Sequence, residues 1–434
     1  MKSTLALFFL CVSLAAMCGA AEAATYYVST AGDDSSDGSD AKPWRTIQHA
    51  VDTIAPGDTV IVREGTYQGF RIGQSGEEGR AKTVRAEKPG AVVLNEPSSA
   101  NKQSGVLEVQ KPGEVVGYWA IDGFKVTAGG KYRAIDMRHT THITVRNCES
   151  DGSKARTTGI YASYAEGILL ENNISHNSGE HGIYVANGSD NGVFRGNKCY
   201  DTAGAGIQIN ADATMPNSDG ISSNFLIEKN ISHDTVLGLN MDGVEKSTFR
   251  NNLIYRFSDK GLTLFAIDAA IASRNNRVLN NTLVSREDGK SYFCVTIRHT
   301  NAPEKPAPVG NKLFNNIFYH YGAPTTVGSL NIDKTGFEGF ESDYNVVMDY
   351  FGINDNETHE NLSEWRARGY DAHSIQAAAA AIFVAPAAYD FHLKADSPAR
   401  GAGTALPDVT DDLEGRARPQ GKPYDIGCYE HSAS

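Results

Sequence analysis

Cysteine is scarce in this sequence, and its spacing does not suggest a metal site. Only six of the 434 residues are cysteine, and no CxxC pair or Cys/His cluster of the kind that binds zinc is present. Cys148 and Cys199 are separated by two units of a sequence repeat, which places them beyond the reach of a disulfide. We therefore expect buried free thiols at the four positions outside the N-terminal segment, which are Cys148, Cys199, Cys294 and Cys428.

Long apolar runs are absent beyond the N terminus. The first 23 residues contain Lys2, the apolar run 5–17 and Ala21-Glu22-Ala23, a pattern typical of a cleaved secretion signal. No later run is long enough to span a bilayer. We therefore predict a signal peptide at residues 1–23 and a secreted or periplasmic protein without a membrane span. A lipoprotein anchor at Cys18 is the alternative, which Met17 directly before it disfavours.

Basic residues are fewer than acidic residues in this sequence. The sequence has 40 Lys and Arg against 52 Asp and Glu, a net charge of −12, which argues against nucleic acid or an anionic membrane as partner. Basic residues are nevertheless concentrated between positions 125 and 156. Because arginine binds carboxylates with two hydrogen bonds, this patch suggests a carboxylated polymer. We predict a catalytic role for Arg138 and substrate binding by Lys154 and Arg156, whereas Arg146 occupies a spacer position.

Helical periodicity is absent from the middle of the chain, which instead repeats a short phrase. An apolar residue, two spacers, an asparagine and a β-prone run recur every 22 to 35 residues. The repeated asparagines are Asn147, Asn173, Asn197, Asn230, Asn252, Asn281 and Asn316. This period is typical of a solenoid. An asparagine at one corner of each turn can satisfy backbone groups that are buried between turns.

A second phrase follows each asparagine and alternates apolar and polar residues. Examples are GIYASY at 159–164, GIYVAN at 182–187 and GLNMD at 238–242. Alternation of period two, without helices between the strands, predicts short parallel strands stacked into an all-β, single-stranded parallel β-helix. The predicted inward side chains are Ile160, Ala162, Ile183, Val185, Ile207, Ile209, Leu239, Met241, Leu262 and Leu264.

Both ends of the solenoid need a cap. At the N-terminal end, within residues 24–70, we predict a short helix that begins at Asp40 and buries Ile47, Ala50, Val51 and Ile54 on one face. The repeat core is placed at about 115–350, within a β-helix spanning 24–405. An irregular C-terminal cap is expected at 406–434, preceded by a small helical or packing segment at 377–383.

The two ends also resemble a known group of proteins. The opening YYVSTAGDD…PWRTIQHAV…GDTVIVREGTY and the closing SPARGAG…GRARPQG…YDIGCYE are similar to those of secreted right-handed parallel β-helix proteins of the pectate-lyase-like group. The resemblance covers most of the chain after the signal peptide. It implies a right-handed β-helix and an activity found in that group, which includes polysaccharide lyases, mannuronan epimerases and glycoside hydrolases.

Outward positions of the stacked strands form a ribbon rich in tyrosine, amide and arginine side chains. A ribbon of this kind suits a polymer that runs along the stack. We predict substrate binding by Glu180, Gln208, Asn210, Asn240, Asp242 and Arg298. Two loops, 211–223 and 301–309, are longer than their counterparts, and we expect them to bracket a cleft centred on the Gln208 and Asp242 strands.

The ribbon and the basic patch together favour β-elimination of a uronic acid polymer. That reaction needs a base for the C5 proton, an acid for the leaving group and positive charge for the carboxylate. We predict His181 as the base and Tyr184 or Tyr161 as the acid. Arg138 or Arg156, with an amide such as Asn210 or Gln208, is the predicted carboxylate partner. No cofactor is predicted. Calcium, with ligands from Asp242, Asn240 and Asn210, is the alternative, disfavoured because clustered carboxylates are missing.

Three other functions stay open on the sequence. A glycosidase needs two carboxyl groups, for which Glu180 and Asp242 are the candidates. An epimerase begins with the same deprotonation, although Ser178-Gly179-Glu180-His181 stands where that family carries Asp-Pro-His-Asp. A non-catalytic adhesin would bind polysaccharide on the same ribbon. In each case the expected partner is a polysaccharide, and the expected oligomeric state is a monomer.

Overall fold

The computed structural model describes residues 22–97, 105–128, 133–153, 157–299, 302–322, 326–421 and 423–432. The predicted signal peptide therefore lies almost entirely outside the described residues, and so do Lys154 and Arg156. Among the residues that the structure describes, no helix is long and apolar enough to cross a membrane.

The chain winds into a right-handed parallel β-helix, as predicted, and each coil contributes to three parallel sheets. Sheet A, which carries the outward ribbon, contains Arg71–Ile72, Gly105–Val109, Arg133–Arg146, Ile160–Glu166, Ile183–Ala186, Lys198–Asn210, Ile231–Asp242, Lys260–Phe265, Phe293–Ile297, Gly328–Ile332 and Phe351–Ile353. Three of these strands continue around a corner into a neighbouring sheet: Arg133–Arg146, Lys198–Asn210 and Ile231–Asp242.

Sheets B and C complete each coil. Sheet B contains Thr25–Val28, Thr59–Val62, Lys82–Ala86, Val116–Asp122, the end of Arg133–Arg146, Leu169–Glu171, Val193–Arg195, Leu226–Glu228, Thr248–Arg250, Arg277–Leu279, Lys312–Phe314 and Glu341–Asp343. Sheet C contains Gly65–Gln68, Val92–Glu96, Phe124–Thr127, Glu149–Asp151, Ile174–His176, the starts of Lys198–Asn210 and Ile231–Asp242, Leu253–Phe257, Thr282–Ser285 and Ile317–Tyr319.

Smaller elements lie outside these sheets. Ser222–Ser223 pairs with Val244–Glu245, and Phe383–Ala385 pairs with Asp390–Leu393. Thr358–Glu360 runs antiparallel to the last strand of sheet A. The helices are Ile47–Thr53, Leu362–Ala367 and Ala379–Ile382, with short 3-10 turns at Lys334–Gly336 and Pro386–Ala388.

The inward prediction is confirmed at all ten sheet A positions from Ile160 to Leu264, each at most 2% exposed. The N-terminal helix also buries Ile47, Ala50, Val51 and Ile54, as predicted. Its predicted start is wrong. Thr46 caps the helix by accepting the His49 N–H, and Asp40 instead pairs with Arg63. The four cysteines are buried and free, in agreement with the prediction.

The asparagine series is confirmed as a hydrogen-bonded ladder, with one member corrected. From Asn197 onward each side-chain oxygen accepts the backbone N–H of the preceding asparagine, at 2.8–3.1 Å. The ladder extends to Asn345, beyond the predicted set. Asn147 is not a member, because Cys148 occupies that position and donates its N–H to Asn173. Asn147 stands in the left-handed corner before it, at φ +53°.

Candidate active site on sheet A

Outward side chains of sheet A lie in two columns that run along the axis. Strand register aligns the first column as Glu108, Asp136, Tyr161, Tyr184, Gln208, Asn240, Thr263, Thr296 and Asn331. The second column contains Arg138, Ser163, Ala186, Asn210, Asp242 and Phe265. The predicted residues on this ribbon therefore share one face of the molecule, although most of them are deeply recessed between larger neighbours.

Two tyrosines and two arginines meet at the N-terminal half of the first column. The Tyr161 and Tyr184 rings pack edge to face with centroids 5.4 Å apart. The Arg133 guanidinium lies 3.7 Å from the centroid of the Tyr161 ring, and that of Arg138 lies 5.8 Å away. Two guanidinium groups therefore flank the Tyr161 ring, whereas Tyr184 contacts the Asn210 amide.

Buried carboxylates hold these arginines in place. Asp136 is fully buried, accepts two hydrogen bonds at 2.9 Å from Arg138 and accepts a third from Arg133. On the preceding strand of sheet A, Glu108 is equally buried, and its carboxylate accepts a hydrogen bond from Arg71 at 3.0 Å. Arg138 thus has the position predicted for it, but one edge of its guanidinium is already occupied by Asp136. Arg133 was missed as a site residue, although it belongs to the same alternating RAIDMR phrase as Arg138.

His181 touches Tyr184, but its hydrogen bonding contradicts the predicted role as base. The two rings lie 5.1 Å apart. The His181 Nδ1 accepts the Ala205 backbone N–H at 2.9 Å, so the neutral ring carries its proton on Nε2. Burial lowers the pKa of His181 from 6.5 to about 4, against a smaller opposing effect of Glu180. The ring is neutral at pH 7, and its accepting nitrogen is unavailable to a substrate proton.

Tyr184 is a partly buried, protonated phenol beside Asn210. Burial raises the pKa of its phenol to about 12, so the group keeps its proton at neutral pH. The Asn210 amide nitrogen lies 3.4 Å from the Tyr184 hydroxyl and 3.2 Å from Asp268. The Asn210 Oδ1 atom is buried without a hydrogen-bond partner among the described residues. An acceptor left open beside a phenol can receive a sugar hydroxyl.

The middle of the first column forms a recessed polar floor. Asn240 donates to the Gln208 side-chain oxygen at 2.6 Å, and both residues are at most 9% exposed. Thr263 continues this floor one coil further, and its buried hydroxyl has no partner among the described residues. Gln208 and Asn240 therefore lie side by side on the ribbon, and the hydrogen bond between them restrains both side chains.

Asp242 holds a loop in place. Its two oxygens accept the backbone N–H groups of Ile267 and Asp268 at 2.8 and 3.0 Å. Asp242 is 1% exposed, so the structure gives it a contact within the protein, and its predicted role in substrate binding stays a prediction. No group of three or more His, Cys, Asp or Glu side chains suited to a metal ion is found in the described part of the chain.

Three loops form one wall along the side of sheet A at which its strands end. The predicted loops 211–223 and 301–309 do not bracket the groove from two sides. They stand on the same edge and are joined through a third loop, 266–272, by the hydrogen bonds Ala213 to Asp268, Ala270 to Gly220 and Ala272 to Pro306. The third loop was missed because AIDAAIA lacks the glycine and proline that mark the other two.

Two further predicted residues lie at the margins of the groove. Glu180 is exposed at the corner before Tyr184 and accepts the Thr158 hydroxyl at 3.1 Å. Arg298 is paired with Asp355 at 2.5 Å, so its predicted contact with substrate is replaced by a contact within the protein. Away from this site, an aromatic stack lies on sheet C, with centroids 4.8–5.1 Å apart, and consists of His176, Tyr200, His233 and Tyr255.

Comparison with known families supports this architecture. Residues 26–180 match the family model described as the Pel9A-like, right-handed β-helix region. The resemblance to the pectate-lyase-like group is confirmed. The match supports the right-handed β-helix that the strand pairing shows.

Individual relatives are distant from this chain. The uncharacterized protein YwoF of Bacillus subtilis (strain 168) is 23% identical and covers 86% of this chain and 92% of its own length. Pectate lyase PEL9 of Emericella nidulans is 31% identical over 150 residues, which cover 31% of this chain and 36% of that protein. The second match therefore spans just over a third of that enzyme.

Solved structures agree on the fold. The crystal structure of pectate lyase Pel9A superposes with a TM-score of 0.64 at 17% identity, covering 95% of this chain and 98% of that one. A rhamnogalacturonan lyase superposes with a TM-score of 0.51 at 14% identity, covering 74% and 87%. At these identities the likeness establishes the β-helix fold only. The chemistry has to be inferred from the side chains of the groove.

Proposed function

We propose that this protein is an exported enzyme that binds an acidic polysaccharide in the groove of sheet A and cleaves it by β-elimination. The observation that carries the proposal is the pair Tyr161 and Tyr184 on adjacent rungs, with Arg133 against one ring and Asn210 against the other. Two phenols in different electrostatic surroundings provide an accepting and a donating group one sugar apart. The arginines supply charge for the uronate carboxylate.

The reaction assigns a different role to each tyrosine. Tyr161, acting as the phenolate, takes the proton from C5 of the uronate and becomes a neutral phenol, and the C5–H electrons form the C4–C5 double bond. The bond from C4 to the glycosidic oxygen breaks, and Tyr184 donates its proton to that oxygen. Free edges of Arg133 and Arg138 pair with the carboxylate, whose charge increases as the C5 proton leaves. His181 packs edge to face against the Tyr184 ring and orients it.

Hydrolysis fits the groove less well. A glycosidase needs two carboxyl groups about 5–10 Å apart that are open to the sugar. The carboxylates of Glu108 and Asp136 are fully buried and paired with arginines, and that of Asp242 accepts hydrogen bonds from the backbone of a loop. Glu180 is exposed at the corner of its coil, and the partly exposed Asp268 accepts from the Asn210 amide at 3.2 Å. The groove therefore provides proton donors and positive charge in preference to an acid–carboxylate pair.

Product analysis tests the proposal and separates it from its rivals. The purified protein is incubated with polygalacturonate, alginate, glucuronan and glycosaminoglycans. β-Elimination predicts new near-ultraviolet absorbance from unsaturated uronate in step with new reducing ends. Reducing ends without absorbance indicate a hydrolase, and exchange of the C5 proton without cleavage indicates an epimerase. Binding without any conversion of these polymers indicates an adhesin. Each of these three results would overturn the lyase assignment.

A further inference from the structure

The C-terminal end of the groove is covered by a hairpin. The last strand of sheet A, Phe351–Ile353, pairs with the antiparallel strand Thr358–Glu360, so parallel stacking ends there. The turn between them contains three successive left-handed residues, Asn354, Asp355 and Asn356, at φ +53°, +54° and +67°. Consecutive left-handed residues cost backbone energy and are retained where the surrounding contacts enforce them. Here they fold the turn back over the coils that precede it.

Asp355 reaches across the outward face of an earlier strand. Tyr292 immediately precedes the strand Phe293–Ile297, and Arg298 immediately follows it. The Asp355 carboxylate accepts from Arg298 at 2.5 Å and from the Tyr292 hydroxyl at 3.3 Å, and the same hydroxyl lies 3.1 Å from the Asp355 carbonyl. One side chain therefore connects both ends of a strand that lies two coils before its own.

Neighbouring contacts fix the turn in this position. Asp355 donates its backbone N–H to Asp333 at 3.0 Å, and Asn356 donates its own to the Asn331 side chain at 3.2 Å. The Tyr350 hydroxyl donates to Asn356 at 2.9 Å. Beneath the turn, Thr296 and Asn331 are at most 1% exposed, whereas Gln208, Asn240 and Thr263, which precede them in the same column, are 5–9% exposed. The polar floor thus runs under the hairpin and is closed there.

We propose that this hairpin is an end wall, which makes the groove accessible from one end only and directs cleavage to a fixed distance from a chain end. The inference rests on the proposed function. Four coils separate the Tyr184 rung from the Thr296 rung, about 19 Å at a spacing of about 4.8 Å per coil. That length accommodates a short oligosaccharide between the reacting tyrosines and the wall. The enzyme therefore releases short products of uniform length from one end of the polymer.

Binding stoichiometry tests the wall without requiring cleavage. Calorimetry is carried out with polygalacturonate and alginate fractions of two chain lengths, using Tyr184→Phe protein so that the polymer stays intact. A one-ended groove predicts one protein per chain at either length. Asp355→Ala and the milder Tyr292→Phe open the wall, and the number of proteins per chain then rises with chain length. Glu341→Gln, which removes the Lys312 ion pair on sheet B, is the control and leaves the stoichiometry at one.

The outcomes are distinct for the two proposals. A stoichiometry that already grows with chain length when Asp355 is intact overturns the end wall, as does the absence of binding to both polymers. A stoichiometry of one per chain that both wall variants leave unchanged also overturns it. Binding at one protein per chain, without any unsaturated product from the unsubstituted enzyme, supports the wall and contradicts only the elimination chemistry.

Discussion

At the scale of single residues, the groove separates side chains that look equivalent in the sequence. Tyr161 and Tyr184 occupy the same position of successive repeats, yet two guanidinium groups lie beside the first and burial raises the pKa of the second to about 12. His181 is the opposite case. A histidine beside a tyrosine suggests a base, but the Ala205 N–H occupies its accepting nitrogen. Environment therefore assigns the roles that residue type leaves open.

The first prediction concerns the charge of His181. Burial lowers its pKa from 6.5 to about 4, so between these values the unfolded chain binds a proton that the folded chain does not. Its contribution to stability is complete above about pH 6.5 and is lost as the pH falls toward 4. Histidine ring NMR is expected to show the Nε2–H tautomer without titration above pH 5.

Replacing His181 extends this test to activity. His181→Asn keeps an acceptor for the Ala205 N–H and is expected to reduce kcat by less than about tenfold, well below the 10²–10⁴ attributed to a general base. A ring that titrates near 6.5, together with a 10³-fold loss in the variant, would restore His181 as the base.

At the scale of structural elements, the asparagine ladder holds successive coils in register. Each buried amide accepts a backbone N–H from one neighbouring coil and donates to a backbone carbonyl, as Asn252 does with Asn230 and Ile227. These bonds satisfy backbone groups at a corner where strand pairing stops. The Cys148 coil lacks such an amide, so one thiol in this position is compatible with the fold.

Removing one member of the ladder is expected to destabilise the whole protein. Asn252→Ala leaves the Asn230 N–H and the Ile227 carbonyl buried without partners, and each orphaned group costs about 1–3 kcal/mol. We expect the free energy of unfolding, measured in guanidinium chloride, to fall by about 2–5 kcal/mol. The control is Asn95→Ala on an exposed position of sheet C, which is expected to change it by less than about 0.5 kcal/mol. Equal effects of the two substitutions would show that the ladder does not contribute.

At the scale of elements, the sequence predicts the repeated strands well and the contacts made by the loops poorly. Period-two alternation and the recurring asparagines predict the sheet A strands, their inward faces and their register, because each depends on local pattern and burial. The Arg298–Asp355 bridge, the bonds from Asp242 to loop 266–272 and the wall formed by three loops join residues 25 to 57 positions apart through turns without a repeat. Such contacts depend on how loops fold back over the coils, which local periodicity does not encode.

At the scale of the whole molecule, charge is distributed unevenly. The chain carries a net charge of −12, so a polyanion is repelled by most of its surface. Arg71, Arg133 and Arg138 concentrate positive charge at the N-terminal half of the ribbon, where two buried carboxylates offset it only in part. An acidic polymer is therefore attracted to one end of the groove, and the closed C-terminal end lies at the other.

Salt dependence of binding reports this arrangement. The Debye length shortens from about 30 Å at 0.01 M salt to about 3 Å at 1 M. We expect the dissociation constant for a polyuronate fraction, measured by calorimetry, to rise at least about tenfold between these limits. A neutral polysaccharide of similar length is the control. If binding of the polyuronate is insensitive to salt, the arginine cluster is not the recognition element.

The most direct test of the account compares tyrosine hydroxyls on and off the groove. Tyr184→Phe and Tyr161→Phe each remove a proton-transfer group, whereas Tyr200→Phe removes a hydroxyl from the aromatic stack of sheet C. With the polyuronate that gives unsaturated product, kcat is expected to fall by about 10²–10⁴ in both groove variants, with KM changed little. The Tyr200 variant is expected to keep the original kcat. Groove variants that retain full kcat would contradict the placement of the reaction on sheet A.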